Sequence, residues 1–234
     1  MIDAGKFVNK FFVIPCDHFG RNHQMYAFED ARFKIPKHIV AAIQAHPKRL
    51  VKATNVQAHF FHSIFEGEQR KQHVIVQSKS ASGKSLAATV GMLNHLDVTD
   101  SRVQSLMLAP TDELAQQLYS EWVSPLASGI VGVKYALCVS GSQLTEEERK
   151  SHLLVATPRA LSELLKKNEI WLAGLKCFVV DEAIEIITNQ RDDFNYIRGE
   201  FQVGRQTKIP QKFFFFSTKL TPSDRNSLFE YCGK

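Results

Sequence analysis

Short apolar runs recur along the chain from residue 73 onward, and stretches with helical periodicity separate them. The runs are rich in β-branched residues, leucine and phenylalanine, and none alternates cleanly between apolar and polar positions. This pattern is typical of strands that are buried on both faces. The six runs lie at residues 73–77, 105–109, 135–139, 152–156, 176–180 and 212–216. Strands that alternate with helices predict an α/β fold with a central, mostly parallel sheet and helices on both faces.

Apolar residues at helical spacing occupy the intervals between these runs. Leu86, Val90 and Leu93 recur at positions i, i+4 and i+7, which predicts a helix directly after residue 84. Further helices are predicted at residues 36–45, 54–65, 112–126, 158–167 and 221–231. Asp192 and Asp193 are predicted to lie in a loop. We predict one domain over residues 28–234, preceded by an N-terminal extension, residues 1–27, whose structure the sequence leaves open.

Composition narrows the class of protein. The 234 residues are enough to bury one sizeable core, and the net charge of +5 is compatible with a polyanionic partner. Four cysteines without a CxxC pair argue against a disulfide framework and against a thiolate zinc site. No apolar stretch is long enough to span a bilayer, so we expect no membrane association. The N-terminal apolar run, residues 11–14, is too short for a signal peptide, so we expect an intracellular protein in the nucleus or the cytoplasm.

Residues 77–85 (QSKSASGKS) follow a predicted strand and open a predicted helix, which is the context of a phosphate-binding loop. In such loops the backbone N–H groups face the phosphates, the lysine reaches the β- and γ-phosphates, and the following hydroxyl binds Mg²⁺. Ser78 stands where the usual pattern has its first glycine, so a chance Gly-Lys-Ser at a helix start is the alternative. The predicted nucleotide-binding residues are Ser80, Ala81, Ser82, Gly83, Lys84 and Ser85.

Asp181 and Glu182 come directly after the buried run at 176–180. Carboxylates at the carboxyl end of a parallel strand lie where α/β sheets bind ligands. Asp181 can hold Mg²⁺ through water together with Ser85, and Glu182 can orient or deprotonate an attacking water. Capping of the following helix is the alternative. Since the loop about 100 residues upstream supplies the other half of one site, we predict Lys84, Asp181 and Glu182 as catalytic residues.

Residues 181–184 (DEAI) differ in one residue from Asp-Glu-Ala-Asp, and other segments match further helicase motifs in the same order. The chain resembles the N-terminal RecA-like lobe of the DEAD-box ATP-dependent RNA helicases from about Phe28 onward. The matching segments are 28–30 (FED) and 53–57 (ATNVQ) for the Q motif, 109–115 (APTDELA) for PTRELA, 156–159 (ATPR) for TPGR, and 217–219 (STK) for SAT. Residues 77–80 and 139–144 are similar to helicases of nuclear mRNA export.

The resemblance implies a RecA-like P-loop NTPase lobe that uses ATP and Mg²⁺. It further implies that Gln57 reads the adenine edge, that Phe28 stacks on the base, and that Ser217 and Lys219 couple ATP to RNA. The implied contacts to the RNA backbone, which are independent of sequence, are made by Pro110, Thr111, Gly141, Thr157 and Pro158. Thr157 and Pro158 are also suited to start a helix, with Thr157 as its cap.

Hydrolysis in this family needs a second RecA-like lobe in cis, which this chain lacks. We therefore expect a piece of a longer protein whose isolated lobe is weak or inactive, with a protein activator as a possible further partner. Several positions depart from the family pattern: Ala81, Asp112, Ala160, Ile184, Thr218 and Lys219. These departures keep open a degenerate lobe that scaffolds nucleotide, RNA or protein without productive unwinding. A different P-loop ATPase, such as a DNA translocase, is a third alternative.

Overall fold

The computed structural model describes residues 11–15, 26–65, 73–94, 96–203 and 212–233. Within them, seven parallel strands form one sheet in the order β1-β2-β7-β6-β3-β5-β4. The strands are β1 Phe11–Pro15, β2 His73–Gln77, β3 Ser105–Leu108, β4 Tyr135–Cys138, β5 Leu153–Ala156, β6 Cys177–Val180 and β7 Lys212–Ser217. The six predicted runs coincide with β2 to β7 to within one residue at each end, and the predicted α/β fold is confirmed.

Part of the N-terminal extension adds a strand to the edge of this sheet. Phe11–Pro15 pairs in parallel with His73–Gln77, from Phe11 opposite His73 to Pro15 opposite Gln77. The remainder of the extension, residues 1–10 and 16–25, lies outside the described residues. The sequence left this segment open because a single short run carries no periodicity that separates a strand from a buried helical turn.

Helices cover both faces of the sheet. They are α1 Lys37–Gln44, α2 Asn55–Phe65, α3 Lys84–Leu93, α4 Asp112–Leu118, α5 Ser124–Ser128, α6 Glu146–Arg149, α7 Pro158–Lys166, α8 Ala183–Asn189, α9 Arg191–Val203 and α10 Pro222–Gly233. A π-helical turn at Tyr119–Val123 joins α4 to α5, so the predicted helix over residues 112–126 is continuous. Among the described residues, no helix is long and apolar enough to cross a membrane.

The strand Lys212–Ser217 shows how the sheet divides the core in two. Phe214 and Phe216 contribute to the cluster under α1 to α5, and Phe213 and Phe215 contribute to the cluster under α7 to α10. Alternate residues of a strand face opposite sides of a sheet, so a continuous apolar run serves both clusters. The four phenylalanines are therefore core residues, as their position in a central strand predicts.

The prediction of a loop at Asp192 and Asp193 is wrong, because both residues lie in the first turn of α9. Carboxylates are favoured there since they interact with the positive end of the helix dipole. Asp193 Oδ1 also accepts a hydrogen bond of 2.5 Å from Ser162 Oγ on α7. Two adjacent acids thus mark the start of a helix here.

Gly91 in α3 allows this helix to approach the sheet closely. A Cβ at position 91 would lie 2.8 Å from Phe214 Cε2 and 3.1 Å from Phe60 Cζ. Both rings are fully buried, so neither can move without disturbing the core. In contrast, a Cβ at Gly199 in α9 would meet no atom within 4 Å.

We expect Gly91→Ala to destabilise the chain by about 1–3 kcal/mol, because the added methyl group overpacks a close contact between helix and sheet. Chemical denaturation followed by circular dichroism measures this change. The matched control is Gly199→Ala, which should be neutral or stabilising by up to about 1 kcal/mol, because alanine is the better helix former. Equal effects of the two substitutions would contradict the packing assigned to Gly91.

Candidate functional site

Three neighbouring strands bring the predicted nucleotide residues together. β2, β7 and β6 lie side by side. β2 leads into the loop at 78–83, the end of β7 leads into residues 217–219, and β6 leads into Asp181 and Glu182. Because the strands are parallel, all three segments lie at one edge of the sheet. This edge is where open α/β sheets bind ligands.

The side chain of Lys84, the first residue of α3, contacts the loop at 78–83. Its side chain is buried, and Nζ donates hydrogen bonds of 2.9 Å to the carbonyl oxygens of both Ser78 and Lys79. Nζ also lies 4.0 Å from Glu182 Oε1. A buried ammonium group requires such partners, since an uncompensated charge in the interior is costly. The lysine thus connects the phosphate loop to the paired acids.

The backbone of the loop adopts left-handed conformations at two positions. Gly83 has φ +96° and directly precedes α3, and Ala81 has φ +59°. For an L-residue with a side chain this conformation costs roughly 1 kcal/mol, whereas glycine adopts it freely. A Cβ at Gly83 would also lie 2.3 Å from Gln57 Nε2, so only glycine fits there. The family glycine that Ala81 replaces would relieve the strain at the other position.

Gln57 is held between its own segment and the phosphate loop. Its Oε1 accepts a hydrogen bond of 2.8 Å from the Thr54 backbone N–H, and its Nε2 donates one of 3.1 Å to the Gly83 carbonyl. Thr54 Oγ1 donates to the Ser82 carbonyl at 2.8 Å. The side chains of Thr54 and Gln57 therefore hold the loop through its Ser82 and Gly83 carbonyls. The sequence analysis predicts a role for Gln57 but none for Thr54. A hydroxyl residue three positions before Gln57 is the sequence feature that would have indicated this support of the loop. Reading of adenine by Gln57 stays a prediction.

Phe28 lies in the core, and its stacking on the base stays a prediction. Its ring is only 2% exposed and lies 6.3 Å from the ring of Phe61 in the core. It forms one wall of a cavity of about 350 Å³ that also involves Glu29, Lys34 and Gln44, and no phosphate-loop residue lines that cavity. In the structure, the apolar surface of the Phe28 ring is used for packing.

Asp181 and Glu182 follow β6, and their carboxyl groups lie in different environments. Glu182 has a left-handed backbone (φ +43°), and its Oε2 accepts hydrogen bonds of 3.2 Å from both the backbone N–H and Oγ1 of Thr218. Burial, with a contribution from the Glu182 charge, raises the pKa of Asp181 to about 6, although the Lys84 charge acts in the opposite direction. A carboxyl group with a perturbed pKa at a sheet edge is a typical feature of functional sites.

Of the two predicted coupling residues, neither makes the observed contact to the acids. Ser217 Oγ donates to the Lys219 carbonyl at 2.8 Å, which closes a local turn after β7. Thr218, between them, provides the link to Glu182. Thr218 stands where the family motif has alanine, and this added hydroxyl is the sequence feature that would have indicated the contact.

Two oxygen donors suited to Mg²⁺ belong to residues close to Lys84. Ser85 is the next residue in α3, and the Asp181 carboxylate is close enough for the Lys84 charge to affect its pKa. The described residues contain no group of three or more His, Cys, Asp or Glu side chains that could hold a metal. A site with one carboxylate and one hydroxyl fits Mg²⁺, which completes its coordination with phosphate oxygens and water.

The predicted RNA contacts lie at the other half of the same edge, after β3, β5 and β4. Thr111 Oγ1 caps α4 by accepting a hydrogen bond of 3.2 Å from the Leu114 N–H, and the Pro110 carbonyl accepts one of 2.7 Å from Gln190 Nε2. Gly141 has φ +78° with open space around its Cα. The topology thus brings together segments that are 46 residues apart in the chain, from position 111 to position 157.

Thr157 does not cap α7 with its side chain, contrary to the prediction. Its backbone is extended at the helix start and Pro158 occupies the first turn, but its Oγ1 donates to Asp112 Oδ1 at 3.0 Å. As a cap, Oγ1 would have to accept a hydrogen bond from a backbone N–H of the first turn. The charge-assisted hydrogen bond to the Asp112 carboxylate instead directs the hydroxyl toward α4.

The fold and the site together are those of a P-loop lobe, with a glycine-lysine-serine loop and paired acids at the carboxyl edge of a parallel sheet, and comparison with known proteins agrees. The family model for DEAD/DEAH box helicases matches residues 54–226. Eukaryotic initiation factor 4A-3 of Arabidopsis thaliana is 35% identical over 140 residues, which are 56% of this chain and 33% of that protein. The chain therefore spans about a third of the length of this relative.

Solved structures show the same fold. Saccharomyces cerevisiae Dbp5 L327V bound to RNA and ADP BeF3 superimposes with a TM-score of 0.75 at 20% identity, over 89% of this chain and 50% of that one. The same yeast protein bound to Gle1 H337R and IP6 gives 0.75 and 20% over 91% and 52%. The chain belongs to the DEAD/DEAH box helicase family, and it is similar to the N-terminal RecA-like lobe of DEAD-box proteins. Its subgroup stays a prediction.

The raised pKa of Asp181 predicts how stability depends on pH. Its pKa is about 6 in the fold against an ordinary 3.8, so the fold disfavours the charged carboxylate. The loss of stability is absent below about pH 4, grows as the pH rises through about 6, and reaches at most about 3 kcal/mol. We expect Asp181→Asn to remove this fall, as measured by thermal melts between pH 4 and 8. Asp192→Asn, an exposed acid in α9, should keep the wild-type profile.

Proposed function

We propose that this chain is the N-terminal motor lobe of an ATP-dependent RNA helicase of the DEAD-box type. The observation that carries the proposal is the buried Lys84 ammonium group, held between the carbonyls of Ser78 and Lys79 and facing Glu182 at 4.0 Å. In P-loop enzymes, a lysine in this position binds the β- and γ-phosphates of the nucleotide. A buried cation whose partners are mostly neutral carbonyls favours an anionic ligand.

The loop around Lys84 provides further groups for a triphosphate. The N-terminus of the ten-residue helix α3 follows Gly83 directly, so its free N–H groups face the loop. Among the described residues, Ser82 Oγ is a buried oxygen without a hydrogen-bond partner, as expected for a group that binds a ligand oxygen. We assign nucleotide contacts to residues 80–85 and recognition of the adenine edge to Gln57.

Mg²⁺ would be held by Ser85 and, through water, by Asp181. When bound, the ion neutralises charge on the phosphate oxygens. The chain's own part is to place the Lys84 charge where it counteracts the burial that raises the pKa of Asp181. It also holds Glu182 so that one carboxylate oxygen, Oε1, faces the phosphate loop while the other is fixed by Thr218. Glu182 in this position can orient the attacking water and accept its proton.

Productive hydrolysis needs groups that this lobe does not supply. In related NTPases an arginine finger from another element is worth about 10³–10⁵ in rate. We therefore propose a second RecA-like lobe in cis, and we expect the chain alone to bind ATP but to hydrolyse it slowly. The solved complexes of Dbp5 with RNA and with Gle1 support RNA and a further protein as partners, and we propose that such a protein acts as an activator.

The rival function is a scaffold that binds partners without turnover. Asp112 favours it, because an acid stands where the family has an arginine at the RNA edge. RNA-stimulated ATP turnover in the two-lobe protein separates the two functions. The scaffold gains support if nucleotide binding is absent up to millimolar concentration.

We expect Lys84→Ala to abolish binding of ATP and ADP with Mg²⁺, because the loop loses its only buried cation among the described residues. Isothermal titration calorimetry of the chain measures this loss. The matched control is Lys79→Ala, which removes the same charge from an exposed side chain of the same loop and should bind nearly as the wild type does. Melting temperatures of both variants show whether the loop still folds, and equal binding by all three proteins would contradict the assignment.

A second variant tests which nucleotide the site accepts. Gln57→Ala should lower the preference for ATP over GTP by about tenfold, because the amide that matches the adenine edge is gone. The ratio of the two affinities is the readout, since loss of the Gly83 contact weakens both nucleotides together. An unchanged ratio would show that Gln57 only supports the loop.

A further inference from the structure

Asp112 joins the two loops that carry the proposed RNA contacts. Its Oδ1 accepts a hydrogen bond of 3.2 Å from the backbone N–H of Ser140 and one of 3.0 Å from Thr157 Oγ1. Ser140 lies in the turn after β4, next to Gly141, and Thr157 follows β5. One carboxylate oxygen thus occupies the point at which donors from two adjacent strand ends converge.

The Asp112 carboxylate is ionised at neutral pH. Its partial burial alone would raise the pKa, but the hydrogen bonds from Ser140 and Thr157 outweigh this and lower it below the ordinary value. The donors that this anion engages, a main-chain N–H and a hydroxyl group, are of the kinds that hold a backbone phosphate. A phosphate and the Asp112 carboxylate therefore compete for the same donors.

The surrounding charges add to this competition. Glu113, the next residue of α4, is exposed, and the Arg159 guanidinium at the start of α7 is paired with Glu163 at 3.3 Å. The nearby cation is thus already partly neutralised, and two acids stand in the first turn of α4. Like charges that are placed together oppose the binding of an anion.

We propose that the Asp112 carboxylate occupies the position at which a backbone phosphate of RNA would contact Ser140 and Thr157. Asp112 thereby keeps the affinity of this lobe for single-stranded RNA low. RNA binds there only when the backbone phosphate displaces the carboxylate from Ser140 N–H and Thr157 Oγ1. The inference rests on the proposed function, because it takes Thr111, Gly141 and Thr157 as the RNA-binding positions.

The test is fluorescence anisotropy of a labelled single-stranded oligouridine RNA with the full 234-residue chain. We expect Asp112→Ala to bind about tenfold more tightly than the wild type. The dependence of log affinity on log salt should be steeper by about 0.7, as expected when one more phosphate of a single strand is neutralised. Glu113→Ala is the matched control, because it removes one negative charge from the same helical turn. It should change affinity by less than about twofold.

Two further variants keep the outcome decisive. Asp112→Asn preserves the shape and the acceptor oxygen but removes the charge, so it should bind with intermediate affinity and carries the test if the alanine variant fails to fold. The double variant Asp112→Ala, Thr157→Val should lose most of the increase in affinity, because the freed hydroxyl is absent. Thr157→Val alone should change the affinity little, because Asp112 already engages that hydroxyl in the wild type. Non-additivity across these variants is a signature of direct coupling, which a general loosening of the loops would not produce.

The outcomes separate the inference from the proposed function. If the wild type binds RNA and the variants at 112 bind equally or more weakly, Asp112 is a structural tie and the inference is wrong while RNA binding stands. If Asp112→Ala and Glu113→Ala increase the affinity equally, only net charge matters and the inference is wrong. If neither the wild type nor any variant binds RNA at low salt, the RNA part of the proposed function and the inference both fail.

Discussion

All strands of the sheet run in the same direction, and this constraint determines where the functional groups lie. Parallel strands must be joined by crossovers that cover the faces of the sheet, so both faces are buried and every strand ends at the same edge. Segments that follow different strands, such as Ser78–Gly83, Asp181 and Thr157, therefore meet at this edge. The strand order then divides the edge into one half after β2, β7 and β6, which carries the proposed nucleotide residues, and a second half after β3, β5 and β4.

Within the half that we propose for the nucleotide, the protein's own groups engage several of the polar side chains. Lys84 donates to loop carbonyls, Gln57 donates to Gly83, and Glu182 accepts from Thr218. Buried polar groups require partners, so each internal hydrogen bond fixes a side chain near the position in which it would bind the nucleotide. Thr54 and Thr218 serve this purpose without belonging to the residues that bind or react.

The departures from the family pattern have structural consequences that differ from one another. Ile184, in place of the last Asp of the motif, packs against the core under α7 to α10. The connection between residues 181–184 and the segment after β7 is made instead by Glu182 and Thr218. Asp112, in place of an arginine, ties Ser140 to Thr157. The first change thus places an apolar residue against the core, and the second places an anion where the family pattern has a cation.

The sequence by itself determined the strands β2 to β7, the phosphate loop and the paired acids, because apolar periodicity and local motifs depend on neighbouring residues alone. Only the tertiary structure decided that Phe28 is buried against Phe61, that Thr157 bonds to Asp112 rather than caps α7, and that Phe11–Pro15 joins the sheet. These features depend on contacts between residues that are 33 to 62 positions apart, from Phe28 to Phe61 and from Phe11 to His73. Such contacts are set by strand order and packing, which no local pattern encodes.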